Sequence, residues 1–180
     1  YDDKFHIKPL KKLILILIIL YFTISIDHEL KINVVRLSFL DNSIQLGSFS
    51  SIFTILCFLL FLNAYNMFDG INLQSISFLF FLLAALLIIE QNYNFYLILI
   101  IATLTIGYLN YKSLIFFGDS GTLSISYLIG HLFIKNYNNL NINNADMIFL
   151  LFMIPGFDML RLFIVRIINK RSPFLADRNH

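Results

Sequence analysis

Carboxylate and amide side chains recur in four polar segments of an otherwise apolar chain. The segments are YDDKFHIKPLKKL (1–13), NAYNMFDGIN (63–72), NYKSLIFFGDSG (110–121) and RSPFLADRNH (171–180). Ionisable groups at membrane depth are costly and are usually functional or paired. Because clustered carboxylates repel one another, they need a cation among them, and oxygen ligands favour Mg²⁺, which binds one or two carboxylates together with substrate phosphates. These residue types therefore indicate metal-assisted chemistry on a phosphate.

Glycine and basic residues accompany the acidic ones in the same segments. Gly70, Gly118 and Gly121 flank Asp69 and Asp119, where a residue without Cβ allows a tight turn and a close approach of the backbone to a ligand. Lysine and arginine side chains suit phosphate oxygens. The candidates are Lys4, Lys12, Lys112, Arg171 and Arg178. Together these residues predict a site for a phosphorylated substrate.

Single members of this set also have ordinary structural explanations. Asp2 and Asp3 would serve equally well as a solvated pair, and Asp69 begins an Asp-Gly dipeptide that is common in turns. Asp158 follows a Pro-Gly pair inside an apolar stretch, where a kink would let it pair with Arg161, so structural pairing and catalysis are both open for it. None of these explanations accounts for the joint occurrence of the four segments.

The composition places these segments in a membrane protein. Of the 180 residues, 58% are hydrophobic and 13% are charged, whereas a soluble domain has roughly 25% charged residues. The apolar residues lack the period-2 alternation of half-buried strands. They fall into the stretches 13–26, 49–65, 76–89, 95–110, 114–134 and 147–168. We predict an all-α fold, a polytopic transmembrane helical bundle with about six spans in this chain.

Lysine and arginine are distributed unequally between the two ends of these spans. The side that carries both chain ends holds most of them, whereas the opposite side holds Lys31, Arg36 and Lys135. By the positive-inside rule the chain ends are cytoplasmic, and this orientation brings all four polar segments to the cytoplasmic face. On the outer side we expect a short hairpin or surface helix within 27–48 and a solvated, Asn-rich loop at 136–146.

The two ends of the chain lie within polar segments. The first residue is Tyr1, and the last, His180, follows directly on a loop dense in polar residues. We therefore expect residues 1–180 to form a single membrane-embedded catalytic domain fragment that is truncated at both ends.

The four segments, in this order and on one side of the membrane, resemble the motifs of the polyprenyl-phosphate N-acetylhexosamine-1-phosphate transferases, glycosyltransferase family 4. This family includes undecaprenyl-phosphate GlcNAc-1-phosphate transferase and phospho-MurNAc-pentapeptide translocase. The resemblance implies an enzyme that moves a sugar phosphate from a UDP-sugar to undecaprenyl phosphate, releases UMP and requires Mg²⁺ or Mn²⁺. RSPFLADRNH looks more like the branch that uses simple UDP-sugars in O-antigen or capsule synthesis, and the phospho-MurNAc-pentapeptide branch is the alternative.

The resemblance also implies catalytic and metal-binding roles. Asp2 and Asp3 match paired catalytic aspartates that are associated with the lipid-phosphate acceptor and its deprotonation. Asp119 matches a metal-ligating aspartate. His180 matches the first histidine of a catalytic multi-histidine motif that binds diphosphate. The resemblance places this active site on the cytoplasmic face of a bacterial inner membrane.

The expected substrate contacts come from the segments near the middle of the chain. Asn66 and Asp69 match positions that contact nucleotide and phosphate, and we count Asp69 among the catalytic residues. Asn110 matches an asparagine that helps to bind uridine, and Lys12 is a candidate for binding phosphate oxygens. Where the family usually has the second aspartate of Asp-Gly-x-Asp, this chain has Asn72, which keeps an oxygen acceptor but loses the charge. We therefore expect substrate binding at Asn72 rather than metal or base chemistry.

A membrane transporter is the competing functional class, because intramembrane carboxylates can also carry protons or cations. A transporter would place polar residues near mid-membrane and open to both faces, whereas these segments crowd one face. The expected partners are therefore a UDP-sugar, undecaprenyl phosphate and the lipid bilayer, and a homodimer is compatible with them. Nucleic acid is not expected, because the sequence has no basic patch with interleaved aromatic residues.

Overall fold

The computed structural model describes residues 9–90 and 93–170, and within them the fold is a helical bundle. The helices are α1 (Pro9–Ile26), α2 (Ser50–Phe68), α3 (Gln74–Ile89), α4 (Tyr93–Tyr111), α5 (Gly118–Asn138) and α6 (Ala145–Ile168). Each helix coincides with one of the predicted apolar stretches. Asp2, Asp3 and His180 lie outside the described residues.

Three stretches of the described chain are long and apolar enough to cross a membrane, and they are Gly47–Phe68, Tyr93–Tyr111 and Ala145–Ile168. α3 is a shorter apolar helix. Many large apolar side chains on the outside of the bundle are exposed, for example Ile88 and Ile98. Such surfaces are unfavourable in water and favourable against lipid. The prediction of an all-α membrane bundle is therefore confirmed.

α2 is the central helix of the described bundle, and it packs against α1, α5 and α6. Phe58 and Tyr65 of α2 are among its most deeply buried side chains. Phe61 stacks on Phe152 of α6 with ring centroids 4.0 Å apart. α3 packs mainly against α4. Asn66 lies near the C-terminal end of α2. The helices that pack against α2 therefore also fix the position of the polar segment 63–72.

A glycine lets α5 approach α2 closely. A Cβ on Gly130 would lie 2.9 Å from Cε1 of Phe58, a distance that real Cβ contacts do not reach. Phe58 in turn stacks on Tyr127, with ring centroids 5.5 Å apart. Forcing extra atoms into such a core typically costs about 1–3 kcal/mol. The separation of α2 and α5 therefore depends on this glycine.

The excursion between α1 and α2 contains the short hairpin that was one of the two elements predicted there. Val34–Val35 (β1) pairs antiparallel with Ile44–Gln45 (β2), so that Val34 faces Gln45 and Val35 faces Ile44. Short 3₁₀ helices at His28–Leu30 and Gly47–Phe49 flank this hairpin. The prediction of a short hairpin or surface helix within 27–48 is confirmed.

The end of α5 anchors this excursion. The backbone N–H of Arg36 donates to the Tyr137 hydroxyl at 2.7 Å, and its guanidinium donates to the Tyr137 carbonyl at 2.8 Å. The guanidinium also lies over the Tyr137 ring, 4.2 Å from its centroid. Lys135 forms ion pairs with Asp27 at 3.2 Å and Glu29 at 3.1 Å. The excursion is therefore tied to the bundle at two neighbouring positions.

The Asn-rich segment 136–146 is not entirely the solvated loop that its composition predicted. α5 continues to Asn138, and Asn136 is only 4% exposed. The Asn136 side chain donates to the Glu90 carboxylate at 3.0 Å, and the hydroxyl of buried Tyr96 donates to the same oxygen. The prediction was wrong at this end because a buried amide is stable once a carboxylate accepts its hydrogen bond.

Candidate active site

Asn110 joins two of the connections that carry polar segments, the turn 69–73 between α2 and α3 and the connection 112–117 between α4 and α5. Its Oδ1 accepts a hydrogen bond of 2.8 Å from the N–H of Leu73, and its Nδ2 donates to the carbonyl of Ile115 at 3.0 Å. Leu73 adopts a left-handed conformation with φ of 69°, which is unusual for a large apolar residue. The bond from Asn110 helps to hold the turn in that conformation.

Asp119 is the point where α1, α2 and α5 meet. Asn66 of α2 donates to Oδ1 of Asp119 at 3.1 Å, and Lys12 of α1 forms an ion pair with Oδ2. Asn66 also donates to the hydroxyl of Thr122 at 2.7 Å, and Thr122 is fully buried one turn along α5. Both oxygens of the Asp119 carboxylate are therefore held by side chains from other helices.

Asp69 lies at the C-terminal end of α2, and its carboxylate accepts a hydrogen bond from the hydroxyl of Ser75. Partial burial raises the pKa of Asp69, and the negative charge of Asp119 raises it further, against the opposing effect of the Ser75 hydrogen bond. The influence of Asp119 indicates that the two carboxylates share one electrostatic environment. A cation bound between them would relieve their repulsion.

A cavity of about 230 Å³ opens beside these groups, and it has polar and aromatic walls. Asp69, Asn72 and Asn110 contribute carboxylate and amide groups to its lining, and residues 116–117 contribute two phenylalanine side chains. The Asn72 amide also lies 3.4 Å from the hydroxyl of Ser113. Amide groups opposite aromatic rings are suited to a planar, hydrogen-bonding ring such as a nucleobase.

The first turn of α5 directly follows Phe117, which lines this cavity. The helix begins at Gly118, which has φ of 60°, and no side chain caps its N-terminal end. Unpaired N–H groups and the helix dipole make such an end favourable for anions. Asp119 lies in this first turn, so a phosphate bound there would be next to the carboxylate.

The donor set around Asp119 fits a magnesium ion that is shared with a substrate. Among the described residues, no group of three His, Cys, Asp or Glu side chains could form a protein cage for a metal. The Asp119 side chain is 52% exposed, so substrate oxygens and water can reach it. Mg²⁺ usually keeps several waters and binds proteins through one or two carboxylates together with substrate phosphates. A single accessible carboxylate beside a helix end that favours anions fits this mode of binding.

The structure thus brings together most of the predicted site residues within the described chain. Lys12 and Asn66 each contact Asp119, and the other predicted residues in this part of the chain line the neighbouring cavity, namely Asp69, Asn72 and Asn110. For Asp2, Asp3 and His180 the predictions fall outside the described residues.

Two residues of the site were not among the predictions. Thr122 lies three residues after Asp119, a spacing that puts both on one face of a helix, so this signal was available in the sequence. Ser75 reaches Asp69 only because the chain reverses direction between α2 and α3. Helical spacing contains no signal for that contact.

A comparison with protein families agrees with the motifs and the geometry. The family model described as glycosyl transferase family 4 matches residues 1–137, which include every described residue of the candidate site. The chain belongs to glycosyl transferase family 4. This confirms the resemblance to the polyprenyl-phosphate hexosamine-1-phosphate transferases. No curated protein and no solved structure gives a significant match.

Membership of glycosyl transferase family 4 gives the general function of the chain. This family consists of integral membrane transferases that act on polyprenyl phosphates and sugar phosphates. The apolar helices of the described chain agree with a membrane location.

Proposed function

We propose that this protein transfers an N-acetylhexosamine-1-phosphate from a UDP-sugar to undecaprenyl phosphate and releases UMP. The observation that carries this proposal is the contact of Lys12, Asn66 and Asp119, which come from three helices and meet beside a polar cavity. The cavity suits the nucleobase, and the contact cluster suits the diphosphate. The reaction would belong to bacterial envelope glycan synthesis, such as that of O-antigen or capsule, on the cytoplasmic face of the inner membrane.

The nucleotide half of the donor would enter the 230 Å³ cavity. Asn110 and Asn72 offer amide groups to the edge of a uracil ring, and the phenylalanines at 116–117 offer apolar faces for stacking. Asn110 is already fixed by its bonds to Leu73 and to Ile115. A fixed amide loses little conformational entropy on binding, which favours recognition of one base.

The diphosphate would lie between Lys12 and the N-terminal end of α5. Both features favour negative charge. Asp119 would hold Mg²⁺ or Mn²⁺ there, and the bound ion would supply positive charge against the phosphate oxygens. Because Lys12 and the ion would both be attracted to Asp119, we expect Lys12 to turn from the carboxylate to a phosphate oxygen when the donor binds.

In the transfer itself, an oxygen of the lipid phosphate attacks the phosphorus that carries the sugar. A new P–O bond forms, the bond from that phosphorus to the bridging oxygen breaks, and UMP leaves with the bridging oxygen. Asp2 or Asp3 would remove the remaining proton from the lipid phosphate or orient it for in-line attack. A double displacement through a carboxylate nucleophile uses the same groups and stays open.

The reaction can be tested in membranes that contain the complete protein. We would incubate them with undecaprenyl phosphate and, in separate reactions, radiolabelled UDP-N-acetylhexosamines and UDP-MurNAc-pentapeptide, and follow label in the lipid fraction together with UMP release. We expect both for at least one donor. Label in the lipid fraction only with UDP-MurNAc-pentapeptide would assign the protein to the peptidoglycan branch, and no transfer from any donor would contradict the proposal.

The metal assignment has a separate test. Asp119→Asn should abolish transfer and weaken binding of Mn²⁺, which electron paramagnetic resonance measures without any need for activity. Asp158→Asn is the matched control, because Asp158 is an acidic residue that pairs with Arg161 on α6 at 2.7 Å. If Asp119→Asn kept wild-type activity or wild-type Mn²⁺ binding, the assignment would fail.

A further inference from the structure

Ser75 makes a contact that neither the motifs nor the cavity require. Its hydroxyl donates a hydrogen bond to Oδ1 of Asp69. Within the described part of the chain, this is the hydrogen bond that the Asp69 carboxylate accepts. Asp69 also lines the cavity. The second carboxylate oxygen, Oδ2, therefore remains the acceptor that Asp69 can offer to a bound ligand.

Ser75 is itself held firmly. It lies in the first turn of α3 and is 1% exposed. Its carbonyl oxygen accepts a hydrogen bond of 2.8 Å from the hydroxyl of Tyr65, which is fully buried on α2 one turn before Asp69. Tyr65 of α2 thus holds Ser75, and Ser75 holds Asp69, the residue that directly follows α2.

This arrangement restricts the rotation of a carboxylate. A carboxylate can turn about its Cβ–Cγ bond and exchange its two oxygens, because that torsion is broad. A hydroxyl anchored to the neighbouring helix selects one orientation. Positioning of this kind matters for catalysis, since a displacement of about 1 Å can reduce a rate by about 100-fold.

We propose that Ser75 is a positioning residue that fixes the Asp69 carboxylate for the transfer reaction. This inference rests on the proposed function, because it assumes that Asp69 contacts the donor. A purely structural role, in which Ser75 only secures the start of α3, would affect folding and would not act through Asp69.

The first test compares Ser75→Ala, Ser75→Thr and Ser77→Ala in the complete protein. Ser75→Ala should lower kcat about tenfold, and Ser75→Thr, which keeps the hydroxyl, should recover most of the loss. Ser77→Ala is the matched control, because Ser77 lies on the same helix but lines a groove between α3 and α4. Ser75→Cys, with a weak donor of similar size, replaces Ser75→Ala if the latter does not fold. Wild-type kcat in Ser75→Ala would overturn the proposal.

The second test asks whether Ser75 acts through Asp69. We would measure the dissociation constant of UMP for Ser75→Ala in the wild-type background and in Asp69→Ala. We expect a change of about tenfold in the first and less than about twofold in the second, because contacts that act as a unit are not additive. Equal changes in both backgrounds would indicate a structural role. This measurement needs no turnover, so a protein that binds UMP but transfers no label would contradict the proposed function and still decide the role of Ser75.

Discussion

Asn66 and Asp119 lie 53 positions apart in the chain, and the side-chain amide of Asn66 donates a 3.1 Å hydrogen bond to the Asp119 carboxylate. This bond joins the C-terminal end of α2 to the N-terminal end of α5. The two helices can approach each other closely because of Gly130, which lies about two turns further along α5 than Thr122. The site is therefore a product of helix packing as much as of its motifs.

Thr122 should contribute to activity although it has no charge. In Thr122→Val the side chain keeps its shape but can no longer accept the hydrogen bond of 2.7 Å from Asn66. Asn66 would then hold Asp119 less firmly, and we expect transfer to fall about fivefold, since one net hydrogen bond is worth about 1 kcal/mol. The control is Ser126→Ala, which removes another fully buried hydroxyl from α5. Equal activity in the two variants would contradict this role.

Lys12 should affect the metal and the donor in opposite directions. In Lys12→Gln the ion pair with Asp119 is lost. Because the ammonium no longer competes for the carboxylate, the Mg²⁺ concentration for half-maximal activity should fall, whereas KM for the UDP-sugar should rise. Titrations of each at saturating levels of the other would separate the two effects. Lys11→Gln changes an exposed neighbour on the same helix and should change neither value; a rise in both values for Lys12→Gln would exclude competition.

Asp69 should reduce stability at neutral pH. Its pKa in the folded protein is raised above the usual 3.8, mainly by burial, so the folded state pays a cost for ionising it. That cost is fully present above the folded pKa and disappears as the pH falls towards the unfolded value. Asp69→Asn, which can still accept the bond from Ser75, should therefore unfold at a higher temperature than the wild type at pH 7.5, with less transfer activity. The difference should shrink as the pH approaches 4. A lower unfolding temperature at pH 7.5 would be inconsistent with this account.

Gly118 should be sensitive to the smallest substitution. It adopts φ of 60° at the start of α5, and a residue with a Cβ loses about 1–2 kcal/mol in that conformation. Gly118→Ala should therefore lower stability and displace Asp119, with a loss of transfer of about tenfold. Gly156→Ala is the control, because no atom lies within 4 Å of the added Cβ and the residue is inside α6. There alanine should be neutral or stabilise the protein by up to about 1 kcal/mol. Thermal unfolding and transfer assays on both variants would test this contrast.

The sequence predicted the helices well because their ends coincide with changes in polarity. The stretches 76–89 and 147–168 end at the same residues as α3 and α6. The pairing of Asp158 with Arg161 was also anticipated as one of two explanations, and the two side chains lie three residues apart on one helical face. Features that depend on the length of an apolar stretch or on the spacing of residues along one helix can therefore be predicted from the sequence alone.

Contacts across a change of chain direction could not be predicted in the same way. Ser75 follows Asp69 by six residues, a spacing with no meaning in a continuous helix. Asn136 was expected in solvent because its neighbours are polar, and it is buried because Glu90 reaches it from 46 positions away. Such contacts depend on how the helices pack against one another, and helix packing leaves no spacing pattern in a single sequence from which these pairs could be predicted.

The hairpin between α1 and α2 offers a place to attach a reporter. Its tip, residues 41–43, is exposed, while the strands on both sides are paired and the excursion is anchored to α5 through Arg36. An epitope inserted after Asn42 should therefore leave folding and transfer intact. Antibody binding to intact spheroplasts would then show that this hairpin faces outward and that Asp119, at the opposite ends of the helices, meets its substrates from inside the cell; staining only after permeabilisation would reverse the orientation.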